Sequence, residues 1–349
     1  MWESKKKKFW VLLIVMLPFF AGVSDLFSQQ PVFRFASIAY YNLENLFDTI
    51  DTPDVNDFEF TPAGPNLWNT ERYMTKLRNM ARVIEGIGSE KVPGGPTIIA
   101  LSEMENRKVL EDLINTPPLK GLGYSIIHYQ SPDRRGIDVA LLYKPALFHI
   151  TNTTSNRLTI PWRDDFFSRD QLVVSGKLDG EMLHIIVNHW PSRRSPPKYR
   201  AEAAKLSRHL SDSLKALYPN AKVMIVGDLN DDPRDRSIKK VLGAQGRKPA
   251  VIEDGLFNPY YELHRQGVGT IAWRDAWNLF DQIIVSEPLL NETNGGWKLF
   301  DARVYNPPFL FQKDGPFEGY PHRTFAGGRY IAGFSDHLPV YVFLKKEIK

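Results

Sequence analysis

Along this chain the apolar residues gather into short runs rich in β-branched side chains, separated by polar and turn-forming stretches. Runs of that length and composition predict strands, here over Phe35–Tyr41, Thr97–Leu101, Ile137–Tyr143, Leu172–Ser175, Leu183–Asn188, Val223–Val226, Gln282–Val285 and Val340–Leu344. Two stretches follow a helical period instead. Between Glu71 and Gly88, Met74, Leu77, Met80, Ile84 and Ile87 recur at spacings of three and four, with Asn69 or Thr70 placed to cap the helix. From Lys198 to Leu217 the stripe is Leu206, Leu210, Leu214 and Leu217, and Tyr218, Pro219 and Asn220 end it.

The order of these elements selects an architecture. A doubly wound parallel sheet needs a crossover helix after nearly every strand. The stretch from Ile137 to His189 holds several strands with no helical pattern between them. The order fits a layered α/β arrangement, two packed sheets with helices on their outer faces. The Gly- and Pro-rich stretch from Asn306 to Gly333 reads as long surface loops.

The first thirty residues follow a different pattern: a basic run from Lys5 to Lys8, an apolar stretch from Phe9 to Val23, then small and polar residues through Ser28, Gln29 and Gln30. That is the order of a secretory signal. The apolar stretch is 15 residues long, short of the roughly 20 that span a bilayer. The expectation is a signal peptide over residues 1–28, cleaved after Ser24 or Ser28, and one domain over residues 29–349. The product would be exported to the periplasm, the cell surface or the medium.

Composition narrows the chemistry. The net charge is +4, of which the signal segment carries +2, so total charge makes no argument for a polyanionic partner. There is no cysteine, which excludes disulfides, thiol nucleophiles and thiolate metal ligands. Any metal must sit on oxygen or imidazole.

Polar residues recur where the apolar runs end, the position from which loops on a rigid scaffold present function. YYNLENLFD places Asn42 and Glu44 after one run, IIALSEMEN places Glu103 after the next, and HIIVNHWPSRR supplies His189. In VMIVGDLNDDP a strand enters Gly227 and then presents Asp228, Asn230, Asp231 and Asp232. Alone, GDLN is as readily an Asx turn as a site. FDQIIVS puts Asp281 at a strand start, and GFSDHLPVYV puts Asp336 and His337 together before another strand. A single histidine is usually structural or solvated; two in matching settings argue for chemistry.

Taken in order, NLEN, SEMEN, RGIDVALLY, NHWPSRR, GDLNDDP, FDQIIVS and FSDHLPV resemble the endonuclease/exonuclease/phosphatase superfamily, the deoxyribonuclease I-like fold, and in particular its exported bacterial branch. The resemblance runs from Tyr40 to Val342 and implies a four-layer αββα sandwich of two mixed β-sheets flanked by helices. It further implies a divalent-metal site, Mg2+ with Mn2+ or Ca2+ as alternatives, on Asn42, Glu103 and Asp336. Asp228 and Asn230 would orient or deprotonate the attacking water and hold a phosphate oxygen, Asp281 would buttress His337, and His189 would join them. Asp138, in RGIDVALLY, matches less closely.

These residue types suit phosphoester hydrolysis, whose transition state gathers charge on nonbridging oxygens and the departing alkoxide and needs positive charge and an oriented water. Arg134 and Arg135, Arg193 and Arg194, and Lys198 with Arg200 lie beside the motifs and could bind phosphate, with Arg135, Asp138 and Arg193 as the substrate contacts. Trp190, Trp273 and Trp277 offer stacking surfaces, although packing in a core is the commoner fate of tryptophan. The expectation is a phosphodiesterase acting on DNA or RNA and working as a monomer. The alternative substrates are an inositol phosphate, a sugar phosphate or sphingomyelin. A noncatalytic binding protein on the same fold would show a gap in the catalytic set, and the motifs show none. The acidic run Asp48, Asp51, Asp54, Asp57 and Glu59 reads as a solvated loop, since it lacks the glycine and terminal glutamate of a calcium loop.

Overall fold

The computed structural model describes residues 32–291 and 296–348, so the signal segment expected over residues 1–28 lies outside the described residues. Two mixed sheets form the body. The six-stranded sheet runs in the order Lys298–Val304, Val340–Ile348, Val32–Leu46, Ile98–Met104, Asp138–Tyr143 and Ser125–His128. The seven-stranded sheet runs Phe148–Asn156, Gln171–Leu178, Glu181–His189, Lys222–Asp228, Asp281–Ser286, Leu256–Phe257 and Ala244–Gln245.

Central strands are apolar on both faces because both faces are covered. Between the sheets, Ile38, Tyr40, Ile98, Ala100 and Leu141 meet Val174, Ile185, Val187, Met224, Val226 and Ile283. On the outer face of the six-stranded sheet, Ala39, Tyr41, Ile99 and Leu101 pack with Leu77, Met80 and Ile84 of the helix Thr70–Gly86 and with Val109, Leu110 and Leu113 of the helix Arg107–Ile114. On the outer face of the other sheet, Val173, Ile186, Ile225 and Ile284 pack against Ala203 and Ala204 of the helix Pro197–Leu217. These three cores separate four layers in the order αββα.

The helix at Thr70–Gly86 starts as the sequence predicts, with the Asn69 side chain accepting the Arg72 N–H at 3.0 Å. Its stripe is corrected in one place, since Met74 is exposed and Tyr73 faces inward. The helix Pro197–Leu217 is corrected more fully. Its buried residues are Tyr199, Arg200, Ala203, Ala204, Ser207 and Ser211, whereas Leu206, Leu210 and Leu214 lie only partly buried at the margin and Leu217 is exposed. Small side chains bring the helix close to the sheet, and Ser207 bonds Gln171 and Asn188 of two strands at 2.9 and 2.8 Å. In the acidic run Asp51, Asp54 and Glu59 are exposed, but Asp57 is buried and takes the Thr52 N–H at 3.1 Å.

Candidate active site

Strand register assembles one half of the site. Asp228 pairs with His189 on the parallel neighbour and with Asp281 on the antiparallel one, so three functional side chains stand in a row across the end of the seven-stranded sheet. The six-stranded sheet supplies the other half. Asn42 pairs with Ser102, and the register then slips on both strands, leaving Glu103 in a bulge with φ of 62°. A non-glycine residue in this left-handed region is uncommon and costs about 1–3 kcal/mol, a strain that concentrates where a side chain must be aimed. Asn230 is left-handed as well, with φ of 50°.

The two halves face each other across a cleft of about 480 Å³ lined by Asn45, Glu103, Arg135, Arg169, His189, Ser192, Arg194, Asp228, Asn230, Ile271, Arg323, Asp336 and His337. His337 donates from Nδ1 to Asp281 Oδ2 at 2.7 Å, and its Nε2 lies 3.8 Å from Asp228 Oδ2 and 4.0 Å from Asp336 Oδ1. His189 Nε2 lies 3.5 Å from Asp228 Oδ2 and 3.8 Å from Glu103 Oε1. Asn42 turns its Nδ2 between Glu103 and Asp228, at 3.5 and 3.3 Å, while its Oδ1 accepts the Glu44 N–H at 2.9 Å. The amide nitrogen of Asn42, rather than its oxygen, thus faces the carboxylates, which corrects its expected place among the metal ligands.

Burial and neighbouring charge divide these groups. Burial alone would hold the His337 imidazolium down, but Asp281 and Asp228 outweigh it and raise its pKa well above the usual value, so the ring is a cation. Burial, reinforced by Arg169 and Arg135, pushes His189 well below, so that ring is neutral. Burial also raises Asp228, against the pull of His337, to about 7. Burial opposes the charge on Asp336 too, yet Arg323 and His337 hold its carboxyl below the ordinary range.

The donors fit a hard divalent cation. Glu103 Oε2 accepts the Asn45 N–H at 3.1 Å, but Oε1 meets only long contacts, Asn42 at 3.5 Å and Arg135 and His189 at 3.8 Å. Glu103 therefore has coordination capacity to spare on the cleft it shares with Asp336, and no thiolate competes. Asp228, Asp281 and His337 also bring potential ligand atoms within 4.8 Å of one another. Because Nδ1 of His337 is committed to Asp281, this trio is better understood as an acid–base pair beside the cation position.

The structure brings Asn42, Glu103, His189, Asp228, Asn230, Asp281, Asp336 and His337 together, and places Arg135 at the rim. It corrects two expected substrate contacts. Arg193 is turned away into ion pairs with Asp232 and Asp235 at 3.0 and 2.8 Å. Asp138 is fully buried, and its carboxylate is occupied by His128 at 2.8 Å and by the Ser131 N–H at 2.8 Å. It steadies the loop that carries Arg135. Of the other candidates, Arg200 is buried on Asp231 and Trp190 is buried with its Nε1–H on Asn188, whereas Trp273 is exposed.

Sequence reading missed Arg323, which bridges Glu44 at 2.7 Å and Asp336 at 3.0 Å. It also missed Lys76, buried beneath with its Nζ on Thr324 and 3.9 Å from Glu44. Burial pushes that amine down to about 8 against the charge of Glu44. A lone arginine in a loop carries no pattern, but Lys76 stands beside Leu77 on the inward face of an amphipathic helix, and that was the available signal.

Fold and site together are those of a metal-dependent phosphoric-ester hydrolase built on a two-sheet sandwich. A model of the Endonuclease/Exonuclease/phosphatase family matches residues 37–346, and the chain belongs to that family. Comparison with curated proteins finds no match. Among solved structures, TDP2 from C. elegans superposes with a TM-score of 0.54 at 16% identity, over 89% of this chain and 75% of that one. D. rerio TDP2 complexed with a single-strand DNA product gives 0.53 at 15% identity, over 89% and 98%. A mannosyl-6-phosphatase from Bacteroides thetaiotaomicron gives 0.53 at 17% identity, over 88% and 99%.

Proposed function

We propose that the chain is an exported, divalent-metal-dependent phosphodiesterase that hydrolyses nucleic acid, acting as a monomer with Mg2+, or Mn2+ or Ca2+ in its place. The observation that carries the reaction is the convergence of a cationic His337, a neutral His189 and an Asp228 poised near neutrality on one cleft with Glu103 and Asp336. Glu103 and Asp336 would hold the cation, which when bound supplies Lewis-acid charge to a phosphoryl oxygen. Asp228 accepts the proton of the attacking water, and its orientation is fixed by the Asn230 N–H at 2.9 Å. His337 donates from Nε2 toward the phosphoryl group while Asp281 holds its tautomer. His189 lends a hydrogen bond without adding charge.

Two cleft arginines support a phosphodiester. Arg194 is exposed and makes no ion pair among the described residues, and Arg135 has only long contacts, so both are free to meet phosphates. The solved relative that holds a DNA product supports the same substrate. Export is supported by the basic and then apolar order of the first thirty residues; amino-terminal sequencing of the protein recovered outside the cytoplasm tests it.

The test of function is the purified chain with Mg2+, Mn2+ or Ca2+ on plasmid DNA, RNA and bis-p-nitrophenyl phosphate. Metal-dependent cleavage, with rates on DNA falling steeply as salt rises, is expected. Turnover that survives EDTA overturns the reading.

One observation favours a second reading, a phosphatase on a sugar phosphate. Arg193 and Arg200 are consumed in internal ion pairs, which shortens any basic track along the surface. A salt-insensitive rate on a small monoester, with DNA untouched, would select it.

A further inference from the structure

Beside the catalytic cleft lies a second cavity, of about 220 Å³, that none of the chemistry above uses. One wall is the hairpin of strands Ile271–Trp273 and Ala276–Asn278, which contributes Ala272 and Trp273. The other comes from the carboxy-terminal loops, with Phe317, Tyr320 and Pro321, and Phe325 and Gly327 line it further. Arg323 and Asp336 line both the cavity and the cleft, and Ile271 of the cleft is followed directly by the two hairpin residues of the cavity. The two spaces therefore adjoin at Arg323 and Asp336.

The lining is unusual for a surface left to water. Trp273 is 68% exposed and Phe317 38% exposed, and large rings held open beside a polar cleft mark binding surfaces. The walls are also fixed. At the hairpin tip the Asp275 N–H donates to the Tyr320 hydroxyl at 2.7 Å, and that hydroxyl donates to Asp275 Oδ1 at 2.6 Å. These bonds tie the hairpin to the loop that carries Phe317 and Tyr320, so the two walls are joined without a ligand.

We infer that this cavity is a specificity subsite for a nucleobase attached to the phosphate in the cleft. The inference rests on the phosphoesterase reading and narrows it. At about 220 Å³ the cavity is smaller than the roughly 300–1,000 Å³ that encloses a whole ligand, and so it suits one ring system whose phosphate end lies next door. Flat rings offer the stacking that any base accepts. Gln312 lines the cavity; its Nε2 is engaged with the Asp314 carbonyl at 3.0 Å, and its Oε1 is buried without a partner. A base offers polar edge groups to the polar part of this lining, Gln312 and Arg323, whereas an acyl chain would leave them unmet. Arg323 then sits between base and phosphate.

Calorimetric titration with thymidine 5′-monophosphate, deoxyribose 5-phosphate and mannose 6-phosphate, on wild type, Trp273→Ala and Phe317→Ala, tests the subsite. The nucleotide should bind at least about tenfold more tightly than either sugar phosphate, as stacking on one aromatic side chain predicts. Trp273→Ala should erase that margin while leaving deoxyribose 5-phosphate unaffected. Equal affinities in the wild type overturn the inference, as does a margin that survives both substitutions or a preference for mannose 6-phosphate. Hydrolysis of bis-p-nitrophenyl phosphate is measured in parallel. A protein inert toward it that still prefers the nucleotide would sink the phosphoesterase reading and leave the subsite standing.

Discussion

Two histidines of similar sequence setting end in opposite charge states here, and the difference lies in what each ring touches. His337 has Asp281 at 2.7 Å, whereas the Nδ1 of His189 is buried with no partner. His337→Ala should therefore lower kcat by about a hundredfold or more with little change in far-UV circular dichroism; unchanged turnover would remove His337 from the reaction. Asp228 makes a second prediction. In the metal-free protein it titrates at about 7, against about 3.9 in an unfolded chain. The folded state therefore holds that proton more tightly, and the stability it confers is present below about pH 4 and lost as pH rises through about 7. His337, also raised, contributes stability that is full below its unfolded value of about 6.5 and is lost as pH rises through its higher folded value. In EDTA the Asp228 contribution should make the Tm fall between about pH 4 and about pH 7, and Asp228→Asn should flatten that fall. A wild-type Tm level across this window would contradict the assignment.

The central strands were legible because burial on both faces writes an unbroken apolar run. Edge strands were not. Phe148–Asn156 reads FHITNTTSN because it borders its sheet and much of it meets water, so its polar residues look like a loop. Site residues at strand ends, such as Asp228 and Glu103, were legible for the same reason as the strands. Arg323 was not, since it reaches Asp336 only through the path of a long loop. The helix Pro197–Leu217 shows how a stripe misleads: leucines drew the eye, yet the contact face is small. Ala203→Leu should therefore cost about 1–3 kcal/mol through overpacking, while Leu217→Ala should stay within about 0.5 kcal/mol, both by urea unfolding. The reverse ranking would mean that the helix packs on its leucine edge.

Across the whole molecule, cation binding and folding are linked, because a site assembled from both sheets does not exist in the unfolded chain. Mg2+ at a hundred times its Kd should add about 2.7 kcal/mol of stability, seen as a higher Tm, and Glu103→Gln should remove most of the gain. A Tm indifferent to Mg2+, Mn2+ and Ca2+ would count against the carboxylate set. The salt dependence proposed above belongs to this scale as well, since it reports the summed field of Arg135, Arg194 and their neighbours rather than one contact.

Glu103 is rooted in one sheet, and Asp228 and Asp281 in the other, and the layers are held in step by side-chain packing and a few hydrogen bonds such as that of His337 to Asp281. Turnover therefore reports on how the two layers are seated against each other. Mild urea or pressure that lets the sheets slide should extinguish catalysis while the strands stay paired, and enzymatic decay should run ahead of the loss of β-structure.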